Sequence, residues 1–161
     1  SFVIAHPATL ARVGDIDGDG TPELLCTSAD RLSAYALPGG ELKWSATLSV
    51  VDFALAALDA DPALELVIAQ GDAMPGLILD GATLLQEWSW QNGFGSHVAT
   101  GRFGDALEPG LLSAKEFGPV SGFWAAPYET AWTLQNFDTD ALSAGDTDAD
   151  ARDEFSFGAG Q

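Results

Sequence analysis

The sequence predicts an all-β fold, and three observations lead to that prediction. Trp44, Trp88 and Trp132 recur at a spacing of 44 residues, which indicates an internal repeat. Short apolar runs bounded by turn residues fill each repeat, as strands in a sheet do. No stretch of about 12 residues keeps an apolar helical period without an interrupting Gly or Pro, so a helical repeat is disfavoured.

The repeat divides one domain, residues 1–161, into units 1–44, 45–88, 89–132 and a shortened 133–161. Each unit opens with a short apolar stretch that runs into an acidic or glycine-rich loop. The second strands are then predicted at Glu23–Ala29, Glu65–Gln70, Gly110–Ala114 and Glu154–Gly158. Third strands are predicted at Leu32–Leu37, Gly76–Leu79 and Ser121–Ala126, and fourth strands at Glu41–Leu48, Leu84–Trp90 and Glu129–Leu134. Four short strands in each unit of this length are typical of a β-propeller blade.

The fourth unit is incomplete on this repeat. Four complete units would need 176 residues, 15 more than the chain has. Ser1–Ala5 aligns with Ser45–Ser49, just after the repeat tryptophan, so the N-terminal segment would complete the last blade in a closed ring. Alternatively, the chain is part of a larger propeller or a subunit that a neighbouring chain completes. An unpaired strand edge favours pairing, so self-association through the incomplete blade is a further expectation.

Charge restricts the possible partners. Asp and Glu number 24 against 6 Lys and Arg, a formal net charge of -18, which repels nucleic acid and anionic membrane surfaces. No apolar run approaches the roughly 20 residues that span a bilayer, so membrane insertion is not expected. Cys26 is the single cysteine, which excludes an intrachain disulfide. Small cations are therefore the favoured partners.

The acidic loop of unit 1, loop 1 below, has the spacing of a calcium site. Its carboxylates occupy loop positions 1, 3, 5 and 9, with the carbonyl of Thr21 at position 7: Asp15, Asp17, Asp19 and Glu23. Ca²⁺ takes about 6–8 oxygens at roughly 2.3–2.6 Å, which alternate residues around a glycine turn supply. An EF-hand would need Glu at position 12, where Cys26 stands, and flanking helices, so that interpretation fails.

The loop of unit 4, loop 4 below, repeats this arrangement. Its predicted ligands are Asp146, Asp148, Asp150, the carbonyl of Arg152, and Glu154. Ala151 replaces the glycine of loop 1, which predicts a strained turn. We therefore expect two Ca²⁺ ions with a structural role, whereas solvated acidic turns are the alternative.

The loops of units 2 and 3 depart from the pattern. Loop 2 keeps Asp59, Asp61 and Glu65 but is two residues shorter, and it is predicted not to wrap an ion. Loop 3 has Arg102 at its first position, and its guanidinium is expected to replace the metal by pairing with Asp105 or Glu108.

Two segments resemble a known family. Phe94–Gly101, with the sequence FGSHVATG, and the loop GDIDGDGTPEL are similar to the FG-GAP or VCBS repeats of integrin α-subunit-like β-propellers. The resemblance covers essentially the whole chain. It implies a ring of about seven blades, calcium as a structural ion, and extracellular adhesion or glycan-related work. This chain has four repeat units, which is fewer than the blade number that the resemblance implies.

The predicted function is that of a non-enzymatic, calcium-binding extracellular module for adhesion, protein interaction or self-assembly. The alternatives are a lectin-like carbohydrate-binding propeller and a non-catalytic part of a polysaccharide-active enzyme. His6 and His97 share no register in the repeat and lie near no nucleophile motif, so no catalytic residue is predicted.

The aromatic residues fall into two groups. The repeat tryptophans are predicted to pack between blades. Four others are candidates for an exposed aromatic platform, although core packing is the favoured interpretation for them: Trp90, Phe123, Trp124 and Tyr128.

Overall fold

The computed structural model describes residues 7–104 and 107–159, and these residues form fourteen strands without a helix. The first sheet contains β1 (Ala11–Gly14), β2 (Glu23–Ser28), β3 (Arg31–Ala36) and β4 (Leu42–Thr47). The second contains β5 (Asp52–Ala56), β6 (Glu65–Ala69), β7 (Gly76–Asp80) and β8 (Gln86–Trp90). The third contains β9 (His97–Phe103), β10 (Glu108–Ala114), β11 (Gly118–Trp124) and β12 (Thr130–Phe137), and the fourth contains β13 (Thr139–Gly145) and β14 (Glu154–Ala159).

The all-β prediction is confirmed for the described residues. Each complete sheet is antiparallel, with its strands in sequence order, and the fourth sheet has two strands. Every predicted second, third and fourth strand overlaps an observed one. The described part of the chain has no helix of the length and apolar character that crossing a membrane requires.

The sheets follow one another through their first strands. β1 contacts β5, β5 contacts β9, and β9 contacts β13. Between β5 and β9, the carboxylate of Asp52 accepts a hydrogen bond from the Val98 N–H at 3.0 Å, and the Thr100 hydroxyl donates to the Leu55 carbonyl at 3.1 Å. Closure of this series into a ring stays a prediction, because Ser1–Ala5 lies outside the described residues.

The core lies between neighbouring sheets. One buried cluster joins the first and second sheets around Phe53, with Trp44 packed against it. Another joins the second and third sheets around Phe94 and Phe123, with Trp88 and Trp90 packed against it. The apolar residues on both faces of the central strands explain these contacts, because each sheet buries one face against each neighbour.

The predicted packing of the repeat tryptophans between units is confirmed. Trp88 of the second sheet stacks on Tyr128 of the third, with ring centroids 5.5 Å apart. Trp132 of the third sheet stacks on Phe155 of the fourth at 4.9 Å. These contacts explain why the tryptophans recur at the repeat spacing.

Core packing, the favoured interpretation for the four platform candidates, is confirmed for two of them. Phe123 is 1% exposed and Tyr128 8% exposed. Both face the second sheet, where Trp90 makes an edge contact with Phe123 at 4.6 Å and Trp88 covers Tyr128. Core packing is therefore the correct interpretation for these rings.

The same β-bulge interrupts all three complete sheets. In the first sheet Trp44 pairs with Ala34, but Leu42 pairs with Tyr35, so one residue of β4 has no partner in the register. Equivalent shifts occur between β7 and β8 and between β11 and β12. A bulge redirects a side chain. The bulged residue precedes the repeat tryptophan each time: Lys43, Glu87 and Ala131.

Candidate metal centres

Loop 1 brings its first three aspartates together. Oxygens of Asp15, Asp17 and Asp19 lie within 4.8 Å of one another. The carboxylate of Asp15 accepts the N–H of Asp19 at 3.1 Å and that of Gly20 at 2.8 Å, so the backbone curls around it. Gly18 and Gly20 adopt φ values of +69° and +87°, which glycine reaches without strain.

Glu23, the first residue of β2, contacts the beginning of loop 1. Its side chain is fully buried, and Oε2 accepts the N–H of Ile16 at 3.0 Å. One oxygen of Asp17, Oδ1, is also buried and has no hydrogen-bond partner among the described residues. A buried carboxylate oxygen without a partner is destabilising. The donor set therefore fits a cation bound by oxygens.

The structure also places a lysine in this loop, which the sequence interpretation missed. Nζ of Lys43 donates a short hydrogen bond to Asp17 and another to Oε1 of Glu23 at 2.9 Å, and it lies 3.5 Å from Oδ2 of Asp19. The hydrogen bond to Asp17, followed by that to Glu23, raises the pKa of Lys43. Lys43 is the bulged residue of β4, and its position before the repeat tryptophan was the available signal.

Loop 4 has the same hydrogen-bonded frame. Oxygens of Asp146, Asp148 and Glu154 lie within 4.8 Å of one another. The carboxylate of Asp146 accepts the N–H of Ala151 at 3.0 Å, as Asp15 accepts that of Gly20. Glu154 accepts the N–H of Thr147 at 2.9 Å, as Glu23 accepts that of Ile16.

Two alanines in loop 4 adopt the glycine conformation of loop 1. Ala149 has a φ of +65° and Ala151 a φ of +73°, at the positions of Gly18 and Gly20. An L-residue pays roughly 1–2 kcal/mol for this left-handed conformation. The strain predicted at Ala151 is confirmed, and Ala149 adds a second strained position.

Three other predicted ligands, Asp150, Arg152 and Thr21, make different contacts. Asp150 lies outside the acidic group of loop 4, and its Oδ2 is 3.6 Å from Nε of Arg152. The Arg152 N–H donates to Asp150 at 2.9 Å, and the Thr21 N–H donates to Asp19 at 2.7 Å. The hydrogen bond from the Thr21 N–H, above all, lowers the pKa of Asp19. That the carbonyls of Thr21 and Arg152 bind metal stays a prediction.

Loop 3 connects two sheets. The Arg102 N–H donates to Oδ2 of Asp153 at 2.6 Å, and the Asp153 N–H donates to the Arg102 carbonyl at 2.8 Å. Asp105, a predicted partner of the guanidinium, lies outside the described residues. Glu108, the other candidate, pairs in register with Phe103 of β9.

Loop 2 also gathers carboxylates, although it is the shortened loop. Oxygens of Asp59, Asp61 and Glu65 lie within 4.8 Å of one another, and Asp61 forms a second such group with Asp80 and Glu87. Burial, more than the nearby charges of Asp59 and Glu87, raises the pKa of Glu65 to about 7. Burial likewise raises the pKa of Glu87. The loss of two residues therefore does not separate the carboxylates.

An aromatic groove lies between the third and fourth sheets. It has a volume of about 470 Å³, and Trp124, Trp132, Phe103 and Phe155 line it. Glu154 lies at the same groove and is shared with the acidic group of loop 4. The groove thus combines aromatic faces with a carboxylate.

No protein-family model matches the chain, and a search of curated proteins found no relative of it.

Proposed function

We propose that this chain is a non-enzymatic β-propeller module that binds Ca²⁺ in loops 1 and 4 and uses its stabilised blades for adhesion, protein interaction or self-assembly. The ions have a structural role: each neutralises crowded carboxylates and fixes the connection between the first two strands of a blade. Weak sites of this kind suit the millimolar calcium outside cells, so the proposed location is extracellular.

One observation carries the proposal. Loops 1 and 4 have the same carboxylate-to-amide hydrogen bonds although loop 4 has alanines where loop 1 has glycines. Two left-handed alanines are costly, and solvated acidic turns give no reason to keep them. A shared requirement to present carboxylate oxygens to a cation does give one.

In loop 1 a lysine from β4 lies among the predicted ligands. The ammonium of Lys43 contacts three of the carboxylates that Ca²⁺ would bind. We expect calcium to displace it, because a divalent ion takes more oxygens at shorter distances than an ammonium does. Loop 1 would consequently bind calcium more weakly than its ligand number suggests.

Calcium titration calorimetry and thermal melting test the proposal. The wild-type chain should bind calcium, and at 100 times the Kd each site should stabilise the fold by about 2.7 kcal/mol. The double variant Asp15→Asn and Asp17→Asn should lose the calcium equivalent that binds to loop 1. The double variant Asp146→Asn and Asp148→Asn should lose the calcium equivalent that binds to loop 4. Asp30→Asn, in the exposed turn between β2 and β3, is the matched control. Equal melting temperatures in calcium and in chelator would refute the proposal.

A carbohydrate-binding function is the second candidate, and the aromatic groove between the third and fourth sheets favours it. Sugar rings stack on exposed aromatic faces, and sugar hydroxyls donate hydrogen bonds to carboxylates. Trp124→Leu should abolish binding of neutral oligosaccharides, measured by tryptophan fluorescence, whereas Phe117→Ala, outside the groove, should not. Undetectable binding to a broad oligosaccharide panel would count against this function.

A further inference from the structure

Five carboxylates from one loop and three strands converge in the second sheet. The β5–β6 loop contributes two, and the start of β6, the end of β7 and the bulge of β8 contribute one each: Asp59, Asp61, Glu65, Asp80 and Glu87. They form two groups of three that share Asp61, and oxygens within each group lie within 4.8 Å of one another. A hard cation is bound by such oxygens.

A buried oxygen in this cluster lacks a partner. Glu65 is 0% exposed, and its Oε2 accepts a short hydrogen bond from the Leu58 N–H. Its other oxygen, Oε1, is buried and has no hydrogen-bond partner in the described part of the chain. A buried carboxylate oxygen is costly unless a donor or a cation compensates it. No N–H or hydroxyl of the described residues reaches this oxygen.

The other four carboxylates each have one oxygen engaged by the protein. The donors are the N–H of Asp61 to Asp59, that of Ala63 to Asp61, that of Thr83 to Asp80, and the hydroxyl of Tyr128 to Glu87. These bonds orient the carboxylates and leave the second oxygen of each able to bind a cation. Metal-binding carboxylates typically have such supporting hydrogen bonds.

The described residues place no basic side chain against the charges of this cluster. Among residues 7–104 and 107–159, no Lys or Arg forms an ion pair with any of the five. Glu65 and Asp80 lie directly opposite each other on β6 and β7, an arrangement that is destabilising for like charges. A cation from solution would reverse that repulsion.

The repeat explains how the site differs from loop 1. Glu87 is the bulged residue of β8, at the position that Lys43 occupies in β4. The first blade therefore directs an ammonium at its acidic loop, and the second blade directs another carboxylate. Glu87 thus brings a carboxylate to the loop that lacks the fifth-position aspartate.

We propose that Asp59, Asp61, Glu65, Asp80 and Glu87 form a divalent-cation site in the second blade, with Ca²⁺ as the ion that the oxygen ligands favour. The site is independent of loops 1 and 4, because it shares no ligand with them. It differs from them in kind as well, because strands β7 and β8 contribute ligands in addition to the loop.

Calcium titration of the complete chain and of Glu87→Gln tests the proposal. Glu87 is exposed, and glutamine keeps an oxygen that accepts from Tyr128, so the variant should fold. It should bind one calcium equivalent fewer than the wild type, or bind that equivalent about tenfold more weakly. Glu116→Gln, in the exposed turn between β10 and β11, is the control and should behave as the wild type.

Thermal melting provides a second test, because Glu87→Gln should change the melting temperature in opposite directions in chelator and in calcium. In chelator, Glu87→Gln should melt at a higher temperature than the wild type, because it removes one of the mutually repelling charges. In calcium the order should reverse, because the wild type gains the stabilisation of the bound ion. If Glu87 had only a structural role, its replacement by glutamine would shift the melting temperatures in chelator and in calcium in the same direction.

Two results would overturn the proposal. One is calcium binding by Glu87→Gln with the stoichiometry and affinity of the wild type; the other is a melting order that does not reverse. Glu65→Gln provides a second variant with the same expectations. If the Asp→Asn variants of loops 1 and 4 lose calcium and Glu87→Gln does not, this inference fails and the proposed function stands.

Discussion

Ala149 and Ala151 indicate how firmly the frame of loop 4 is imposed. Both adopt positive φ values that glycine adopts in loop 1. In both loops the residue at the sixth position combines a positive φ with an N–H that donates to the first aspartate. The backbone of loop 4 is therefore strained at two alanines, and the hydrogen bonds to its carboxylates compensate this strain.

Replacing Ala151 by glycine should relieve part of this strain. We expect Ala151→Gly to raise the free energy of unfolding by about 0.5–1 kcal/mol, since the left-handed penalty of roughly 1–2 kcal/mol exceeds the entropic cost of glycine. Chemical denaturation in chelator measures it. Ala144→Gly, within β13, is the control and should destabilise the chain, as glycine does in a strand.

Under the proposed function, Lys43 competes with calcium for the carboxylates of loop 1. Lys43→Met removes the ammonium that competes for Asp17, Asp19 and Glu23. Calcium affinity at loop 1 should rise about tenfold, which corresponds to 1.4 kcal/mol of lost competition. Titration calorimetry in a chain with loop 4 disabled by Asp146→Asn and Asp148→Asn measures this affinity.

The same substitution should have the opposite effect without calcium. In chelator, Lys43→Met should lower the melting temperature, because three carboxylates lose their common counter-ion. Lys115→Met makes the same charge change in the third sheet and should alter neither property of loop 1. An unchanged calcium affinity in Lys43→Met would contradict the assigned role of the lysine.

The ligand positions and the lysine were unequally predictable from sequence. Asp15, Asp17 and Asp19 follow from their spacing, because one short loop determines where they lie. Lys43 lies 20 residues after Glu23 along the chain, and only the pairing of β2, β3 and the bulged β4 brings the two together. A bulge is a register property that spacing within a loop does not contain.

At the scale of the strand, close contacts between glycine and aromatic rings set the packing. A Cβ on Gly122 in β11 would lie within 2.8 Å of three ring atoms of Trp132 in β12. The tryptophan thus lies flat against a bare stretch of the neighbouring strand. Its position beside Phe155 depends on that approach.

Gly122→Ala should therefore destabilise the chain by about 1–3 kcal/mol, the usual cost of overpacking a well-filled contact. Gly158→Ala on β14 is the matched control, because a Cβ there would have its nearest neighbour at 3.9 Å. Urea denaturation of both variants gives the comparison. Equal stabilities for the two would show that Trp132 can move away from Gly122 without loss.

Strand positions were predictable to within about three residues. The repeat and the turn residues located the apolar runs that pair in each sheet. β11 begins at Gly118 instead of Ser121, and β12 continues to Phe137 instead of Leu134, because Gly118 pairs with Phe137 across a register shift. Gly and Pro at the start of β11 resemble a turn in sequence, so this extension was not visible.

At the scale of the whole molecule, the fourth sheet has two strands among the described residues, and the chain carries a net charge of -18. An incomplete sheet favours pairing with another chain, whereas like charge opposes it. The interaction through the fourth blade remains a proposal that depends on this balance.

We expect association to strengthen with ionic strength. At about 0.5 M salt the charge repulsion between chains is screened within a few ångströms, and dimers or larger species should appear in sedimentation velocity experiments. Calcium at low ionic strength should act in the same direction by neutralising the acidic loops. A monomer under all these conditions, at concentrations up to about 1 mM, would exclude assembly through this blade.

The bulge before each repeat tryptophan has a consequence for how blades diverge. Because its side chain has no cross-strand partner in the register, this position tolerates exchange without altering the strand pairing around it. Lysine, glutamate and alanine already occupy it in successive blades. If the acidic loops bind calcium as proposed, the residue at this one position would set the calcium concentration at which each sheet becomes rigid, and a series of such sheets would stiffen in steps along a calcium gradient.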